Sequence, residues 1–207
     1  MDETIFPRAA AYVAELFSHN ADGHDAAHSL RVYHNALRIA RGEPTCDITV
    51  AALAALLHDA DDHKLFSTEN NANARSFLER EGVDAECIER ICRAINAVSF
   101  SQNRGRRPDT PEGRVVQDAD RLDAMGAIGI ARTFAYGGSR GRPLADSVRH
   151  FHEKLLLLRD ELNTPAARAL AESRHAFLQA FLAELEEELR DSAEEKYGGF
   201  TMMCDRK

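Results

Sequence analysis

The sequence predicts an all-α fold in a single domain, and three observations predict it. Apolar residues recur at steps of three and four, as in Ile88, Ile91, Ile95 and Val98 and again in Leu178, Leu182, Leu185 and Leu189. No convincing segment alternates apolar and polar residues in the two-residue period of a half-buried strand. The breaks between periodic segments carry helix start and stop chemistry rather than hairpin turns.

In chain order, the pattern places helices at about 7–18, 26–41, 47–59, 69–81, 85–99, 111–135, 144–162 and 165–195. Asn20-Ala21-Asp22-Gly23 separates the first two, and Asp25 is a candidate N-cap for the second. Arg41-Gly42-Glu43-Pro44 stops that helix, and Asp47 is placed to cap the third. Pro111 suits a first helical turn, and Gly126 marks a point where the segment 111–135 can break. Two arginine-rich stretches read as polar loops, 101–109 with Arg104, Arg106 and Arg107, and 136–143 with Arg140 and Arg142. Residues 197–207 read as a tail.

Composition narrows the function classes. A chain of 207 residues with 44% hydrophobic residues supports one buried core, and no run approaches the roughly 20 apolar residues of a membrane span. Met1-Asp2-Glu3-Thr4 lacks the features of a signal peptide, so a cytoplasmic location is expected. Cys46, Cys87, Cys92 and Cys204 form no C-x-x-C pair, and reduced thiols are expected. A net charge of -8 argues against a nucleic-acid polymer as partner but leaves room for a small phosphorylated ligand in a local basic pocket. The segment from Leu155 to Leu158 and the C-terminal helix are apolar enough to support a homodimer.

The chemistry-bearing residues are His28, His58-Asp59 and the pair Asp118 and Asp120. Imidazoles and carboxylates from separate helices can hold a divalent cation while leaving coordination positions open for water and a phosphate oxygen. His58-Asp59 follows the apolar run from Ala51 to Leu57, so its backbone is expected to be buried, where a carboxylate needs a cation or donors. Asp118 and Asp120 diverge by about 200 degrees on a helix, so both cannot easily face one metal.

In order, His28-Ser29-Leu30-Arg31-Val32, Leu56-Leu57-His58-Asp59 and Asp118-Ala119-Asp120-Arg121-Leu122-Asp123-Ala124-Met125-Gly126-Ala127-Ile128-Gly129 resemble the HD superfamily of metal-dependent phosphohydrolases. The likeness runs from about Asp22 to Arg132 and continues weakly beyond. The resemblance implies a single-domain HD-type helical bundle: an N-terminal helix in 1–21, the metal-binding core in 22–135, C-terminal helices of the same domain in 136–195 and a tail in 196–207. It implies His28, His58, Asp59 and Asp120 as metal ligands, with Asp123 near Asp120 as a further acceptor or a cap.

Some relatives carry a histidine just before Ser-Phe-Ser where this chain has Ala97-Val98-Ser99-Phe100-Ser101, which favours one metal ion over two. Family behaviour points to manganese, with Fe, Ni, Co, Zn or Mg as alternatives. Asp61-Asp62-His63-Lys64 matches an Asp-Asp-x-Lys block found in one branch. Asp62 is the candidate for orienting or deprotonating the attacking water, and Lys64 and Arg31 for phosphate oxygens. Arg121 and Arg104 are further phosphate candidates. The implied activity is hydrolysis of a nucleotide phosphoester or phosphoanhydride, most sharply release of pyrophosphate from a (deoxy)nucleoside triphosphate; the alternatives are a 5′-nucleotidase, a cyclic-nucleotide or alarmone hydrolase, or a non-catalytic helical module that binds a nucleotide or metal.

Overall fold

The computed structural model describes residues 3–18, 26–63, 65–98, 103 and 105–201, with side chains to residue 190. Among the described residues there are nine α-helices and one 3-10 turn, and no strand. In order they are α1 (Ile5–Leu16), α2 (Ala26–Ala40), α3 (Ile48–Leu57), α4 (Ala72–Arg80), α5 (Ala85–Asn96), α6 (Pro111–Asp123), α7 (Gly126–Ser139), α8 (Leu144–Glu153), the 3-10 turn Leu155–Leu157 and α9 (Pro165–Thr201).

The sequence of α3, Ile-Thr-Val-Ala-Ala-Leu-Ala-Ala-Leu-Leu, is apolar on every side, and every residue from Val50 to Leu57 is buried. A helix of this kind belongs at the centre of a fold. Helices α1, α2, α5 and α6 surround it, and α2 packs extensively on both α3 and α6. Burial of each of Leu53, Leu56 and Leu57 stabilises the fold by about 1.5–3 kcal/mol. The start of α3 is fixed twice over. Asp47 accepts from the backbone N–H of Thr49 and Val50, while its own N–H donates to Glu112 of α6 at 2.9 Å.

The C-terminal helices share the core. Phe134 of α7, Phe151 of α8 and Phe181 of α9 bring their rings together at centroid separations of 5.8 to 6.0 Å. Arg174 of α9 donates to the carbonyl of Leu122, in the last turn of α6, and to the side chain of Asn35 on α2. The domain is therefore single and all-α, as the periodicity predicts.

The segment 111–135 is two helices, broken at Gly126 where the sequence allowed a break, and Gly126-Ala127-Ile128-Gly129 explains it. Gly126 has φ of +68°, a conformation L side chains rarely adopt. A Cβ on Gly129 would lie 2.1 Å from the carbonyl oxygen of Ala124, so only glycine lets α7 start against the end of α6.

Other boundaries also move. Helix α4 starts at Ala72 rather than 69, because Asn70 and Asn71 sit in the left-handed region with φ of 54° and 56°. Part of the segment read as a loop over 136–143 is helical: α7 continues to Ser139, with Gly137 packed against Ser147 of α8. The segment 144–162 forms α8 and the separate 3-10 turn, and α9 runs on through 197–201, which the sequence suggested as tail. The expected cap Asp25 lies outside the described residues.

No described helix is long and apolar enough to cross a membrane. Cys46, Cys87 and Cys92 are free thiols, and burial pushes Cys46 up to about 12, so its thiolate is suppressed at neutral pH.

Candidate metal centre

Three helix ends converge to build the site. His28 projects from the first turn of α2, His58 caps the C-terminus of α3 with Asp59 directly after it, and Asp120 lies on the last turn of α6. The two imidazoles are almost fully enclosed, with side chains 3% and 2% exposed. Asp59 and Asp120 are 12% and 29% exposed, so the cluster opens to solvent on its carboxylate side.

The ring orientations are set from behind. His28 Nδ1 lies 2.7 Å from Asp123 Oδ2, and His58 Nδ1 lies 2.9 Å from the carbonyl of Ala55. In the neutral form of each ring these acceptors favour the proton on Nδ1, which leaves both Nε2 atoms as bare lone pairs. Those two atoms face each other across 3.3 Å. With both rings neutral, neither has a proton for the other, so two buried lone pairs at this distance call for a metal ion between them or a proton on one ring.

The carboxylates complete the arrangement. His28 Nε2 lies 3.3 Å from Asp120 Oδ1 and 3.5 Å from Asp59 Oδ2, and His58 Nε2 lies 3.4 Å from Asp59 Oδ1. Ligand atoms about 2.1 Å from one ion are separated by roughly 3.0–3.5 Å in octahedral or tetrahedral geometry, so these spacings fit a single divalent cation. One ligand atom each from His28, His58 and Asp120 falls within 4.8 Å of the others.

Charge argues the same way. Asp59, Asp120 and Asp123 bring three carboxylates, whereas Arg31 and Arg132 bring two guanidiniums, both bonded to Asp123. The excess negative charge lies where Asp59 and Asp120 face the imidazoles. Without a metal the site answers by protonation. Burial opposes a charge on His28, yet its hydrogen bonds to Asp120 and Asp123 and the charges of Asp120 and Asp59 push it up to about 9. Burial likewise works against the charge on Asp123, but the hydrogen bonds from His28 and Arg31 hold it well below the usual carboxylate range.

The two aspartates left open by sequence separate cleanly. Asp120 joins the imidazoles, while Asp118 is fully buried and turned towards the start of α9. There it accepts from the backbone N–H and side-chain amide of Asn163 and from the backbone N–H and hydroxyl of Thr164, each at 2.8 Å. Asp118 thus anchors the entry to α9, and its carboxyl is pushed up by burial against the pull of those donors.

The remaining candidates fall in different places. Asp62 follows the ligand pair on the turn out of α3, with its side chain 14% exposed. Its neighbour Asp61 is spent on structure, accepting from the N–H of Asn73 and Ala74 and so pinning this turn to the start of α4. Arg31 is held on Asp123 by Nε at 2.7 Å, behind the ligands rather than in front of them. Arg121 is buried against Glu161, bonding its carbonyl and carboxylate, and burial lowers its affinity for a proton; it is an interior anchor and not a ready phosphate contact. Lys64 and Arg104 lie outside the described residues.

Sequence reasoning gave no role to Arg132, which reaches Asp123 at 2.6 Å and His28 Nδ1 at 3.1 Å. Its signal was slight: a lone arginine nine residues past Asp123, on a helix whose start was not resolved from the one before.

Comparison with known proteins agrees with the geometry. The family model described as HD domain matches residues 25–125. The chain is 38% identical to the Bacillus subtilis protein YpgQ over 187 residues, 86% of this chain and 90% of YpgQ. The crystal structure of Bacillus subtilis YpgQ in complex with ADP superposes with a TM-score of 0.76 at 36% identity, covering 88% of this chain and 97% of that one. An HD-superfamily hydrolase from Bacillus thuringiensis superposes with a TM-score of 0.74 at 37% identity, covering 91% and 98%. With the imidazole and carboxylate cluster in place and these relatives aligned over nearly their whole length, the chain belongs to the HD superfamily of metal-dependent hydrolases.

Proposed function

We propose that this protein is a nucleotide phosphohydrolase that converts a (deoxy)nucleoside triphosphate to the monophosphate and pyrophosphate. The observation that carries the reading is the facing pair of His28 and His58 Nε2 lone pairs, 3.3 Å apart beside two carboxylates and open to solvent on one side. A purely structural site closes its coordination sphere with protein ligands, whereas an open face admits water and substrate. The ADP bound to YpgQ supports a nucleotide as the ligand class.

His28, His58, Asp59 and Asp120 would hold one divalent ion, with manganese the first choice and Fe, Ni, Co, Zn or Mg as alternatives. When bound, the ion supplies a Lewis acid for a phosphoryl oxygen and lowers the pKa of a water molecule. Asp62, next to the ligand pair, orients the water and takes its proton. The water oxygen bonds to the α-phosphorus as the bond to the bridging oxygen breaks, and pyrophosphate leaves with that oxygen. Lys64 and Arg104 are assigned to phosphate oxygens by charge and chain position. Arg31 acts through Asp123, which fixes the tautomer of His28.

The test is release of phosphate or pyrophosphate from nucleoside mono-, di- and triphosphates with added manganese, comparing the wild type with Asp59→Ala. Pyrophosphate release that falls by at least about a hundredfold in the variant is the expected result. Phosphate released from monophosphates alone would reassign the protein as a nucleotidase. A metal-loaded protein that turns over no nucleotide would overturn the reading.

A further inference from the structure

A second recess lies beside the start of α6, and no residue of the ligand cluster lines it. Its volume is about 290 Å³, roughly ten water molecules' worth at ~30 Å³ each, and Arg93, Asn96, Asn103, Arg106, Arg107 and Gln117 are among its walls. Arg93, Arg106 and Arg107 put three arginines in its lining, in a chain whose acidic residues outnumber its basic ones by 34 to 26. The carboxylate among the lining residues is that of Asp109, which is 86% exposed and touches Arg93 at 3.6 Å. That contact is worth little and is readily given up.

The walls are fixed in advance. Arg114 donates to the carbonyls of Pro108 and Asp109, Arg107 donates to the carbonyl of Asn163, and Gln117 donates to the carbonyl of Ala97 at 2.8 Å. Thr110, which also borders the recess, caps α6 through Gly113, so the positive end of a 13-residue helix adds to the field. Like charges gathered in a preformed hollow repel one another unless an anion joins them.

The recess and the metal centre share helix α6. Gln117 precedes Asp120 by three residues on α6, a rise of about 4.5 Å along the axis. We infer that this arginine recess is a polyphosphate pocket, holding the terminal phosphates of the substrate while the reacting phosphate lies at the His28, His58, Asp59 and Asp120 cluster. The inference rests on the nucleotide reading above and deepens it: a triphosphate bound in this way engages both places, whereas a monophosphate engages the metal centre alone. Arg93 and Arg106 are then substrate-binding residues, although neither belongs to the HD motifs.

The test pairs calorimetric titration of tripolyphosphate with steady-state kinetics, using wild type, Arg93→Gln/Arg106→Gln and, as a surface control, Arg149→Gln. Both pocket arginines lie on the surface, so the double variant keeps the fold, which its melting temperature verifies. The expected result is at least tenfold weaker tripolyphosphate binding in the double variant and a KM for nucleoside triphosphate raised far more than kcat falls, with the control like wild type. Unchanged tripolyphosphate binding, or an unchanged KM in a wild type that does hydrolyse triphosphates, overturns the pocket. If the wild type hydrolyses no nucleotide yet binds tripolyphosphate through these arginines, the nucleotide reading fails and the anion pocket stands.

Discussion

His28 Nδ1 lies 2.7 Å from Asp123 Oδ2, and Arg31 and Arg132 donate to the same carboxylate. This contact sets which nitrogen of His28 faces His58, Asp59 and Asp120, where the proposed metal would bind. Asp123→Asn keeps an acceptor oxygen but removes the charge that two arginines and an imidazole share. Metal affinity should fall by about 10- to 100-fold with the fold retained, as measured by chelator competition. Unchanged affinity would mean that the ring is oriented without Asp123.

The metal-free protein should depend on pH through His28. Its pKa in the folded state is about 9, above the ordinary 6.5, so the imidazolium's stabilisation is fully present below about 6.5 and lost as pH rises through about 9. Melting temperatures of the metal-free protein across that window test the sign. Metal requires the neutral ring, so loading at pH 7 releases a proton and affinity rises by up to about tenfold per pH unit until near 9. A metal affinity flat across that range would contradict the assignment.

Asp118 and Asp120 should separate stability from metal binding. Asp118→Ala strands four donors in the interior and should cost about 3 kcal/mol, lowering Tm by about 6–12 °C, while the folded fraction still binds metal. Asp120→Ala should abolish metal binding with little loss of Tm. Calorimetry with metal analysis of both variants decides it, and an exchange of the two phenotypes would refute the placement.

Glycine substitutions in α7 should go in opposite directions. Gly129→Ala forces a Cβ to within 2.1 Å of a backbone carbonyl and should destabilise by about 1–3 kcal/mol. Gly138→Ala meets nothing within 4 Å and replaces a helical glycine, so a gain of about 0.5–1 kcal/mol is expected. Denaturant unfolding of the two variants measures both.

The sequence conveyed the helical layout because periodicity and caps are local. Asp47 caps α3 as its spacing suggests, and Gly126 ends the helix that carries Asp120. Whether Asn70 and Asn71 adopt left-handed geometry depends on how the turn after α3 meets α4, which Asp61 settles by bonding the N–H of Asn73, twelve residues on. At the site, the convergence of His28, His58, Asp59 and Asp120 was legible because their motifs are short and ordered. The roles of Arg31, Arg121 and Arg132 were not, since each depends on a partner brought close only by folding: Asp123 for two of them and Glu161 for the third. A basic residue has the same appearance in a sequence whether it awaits phosphate or is already spent on a neighbour.

Arg174 ties the end of α6 and the side of α2 to the long last helix, far outside the stretch that the HD family model matches. The motif is therefore portable as a pattern of letters but not as a piece of protein. A graft of 25–125 into another scaffold would leave the carbonyl of Leu122 and the amide of Asn35 without the cation that meets them here, one residue from the aspartate that aims His28. Descent in this lineage should accordingly preserve the whole helical assembly as one inherited unit, with recombination points confined to its two ends.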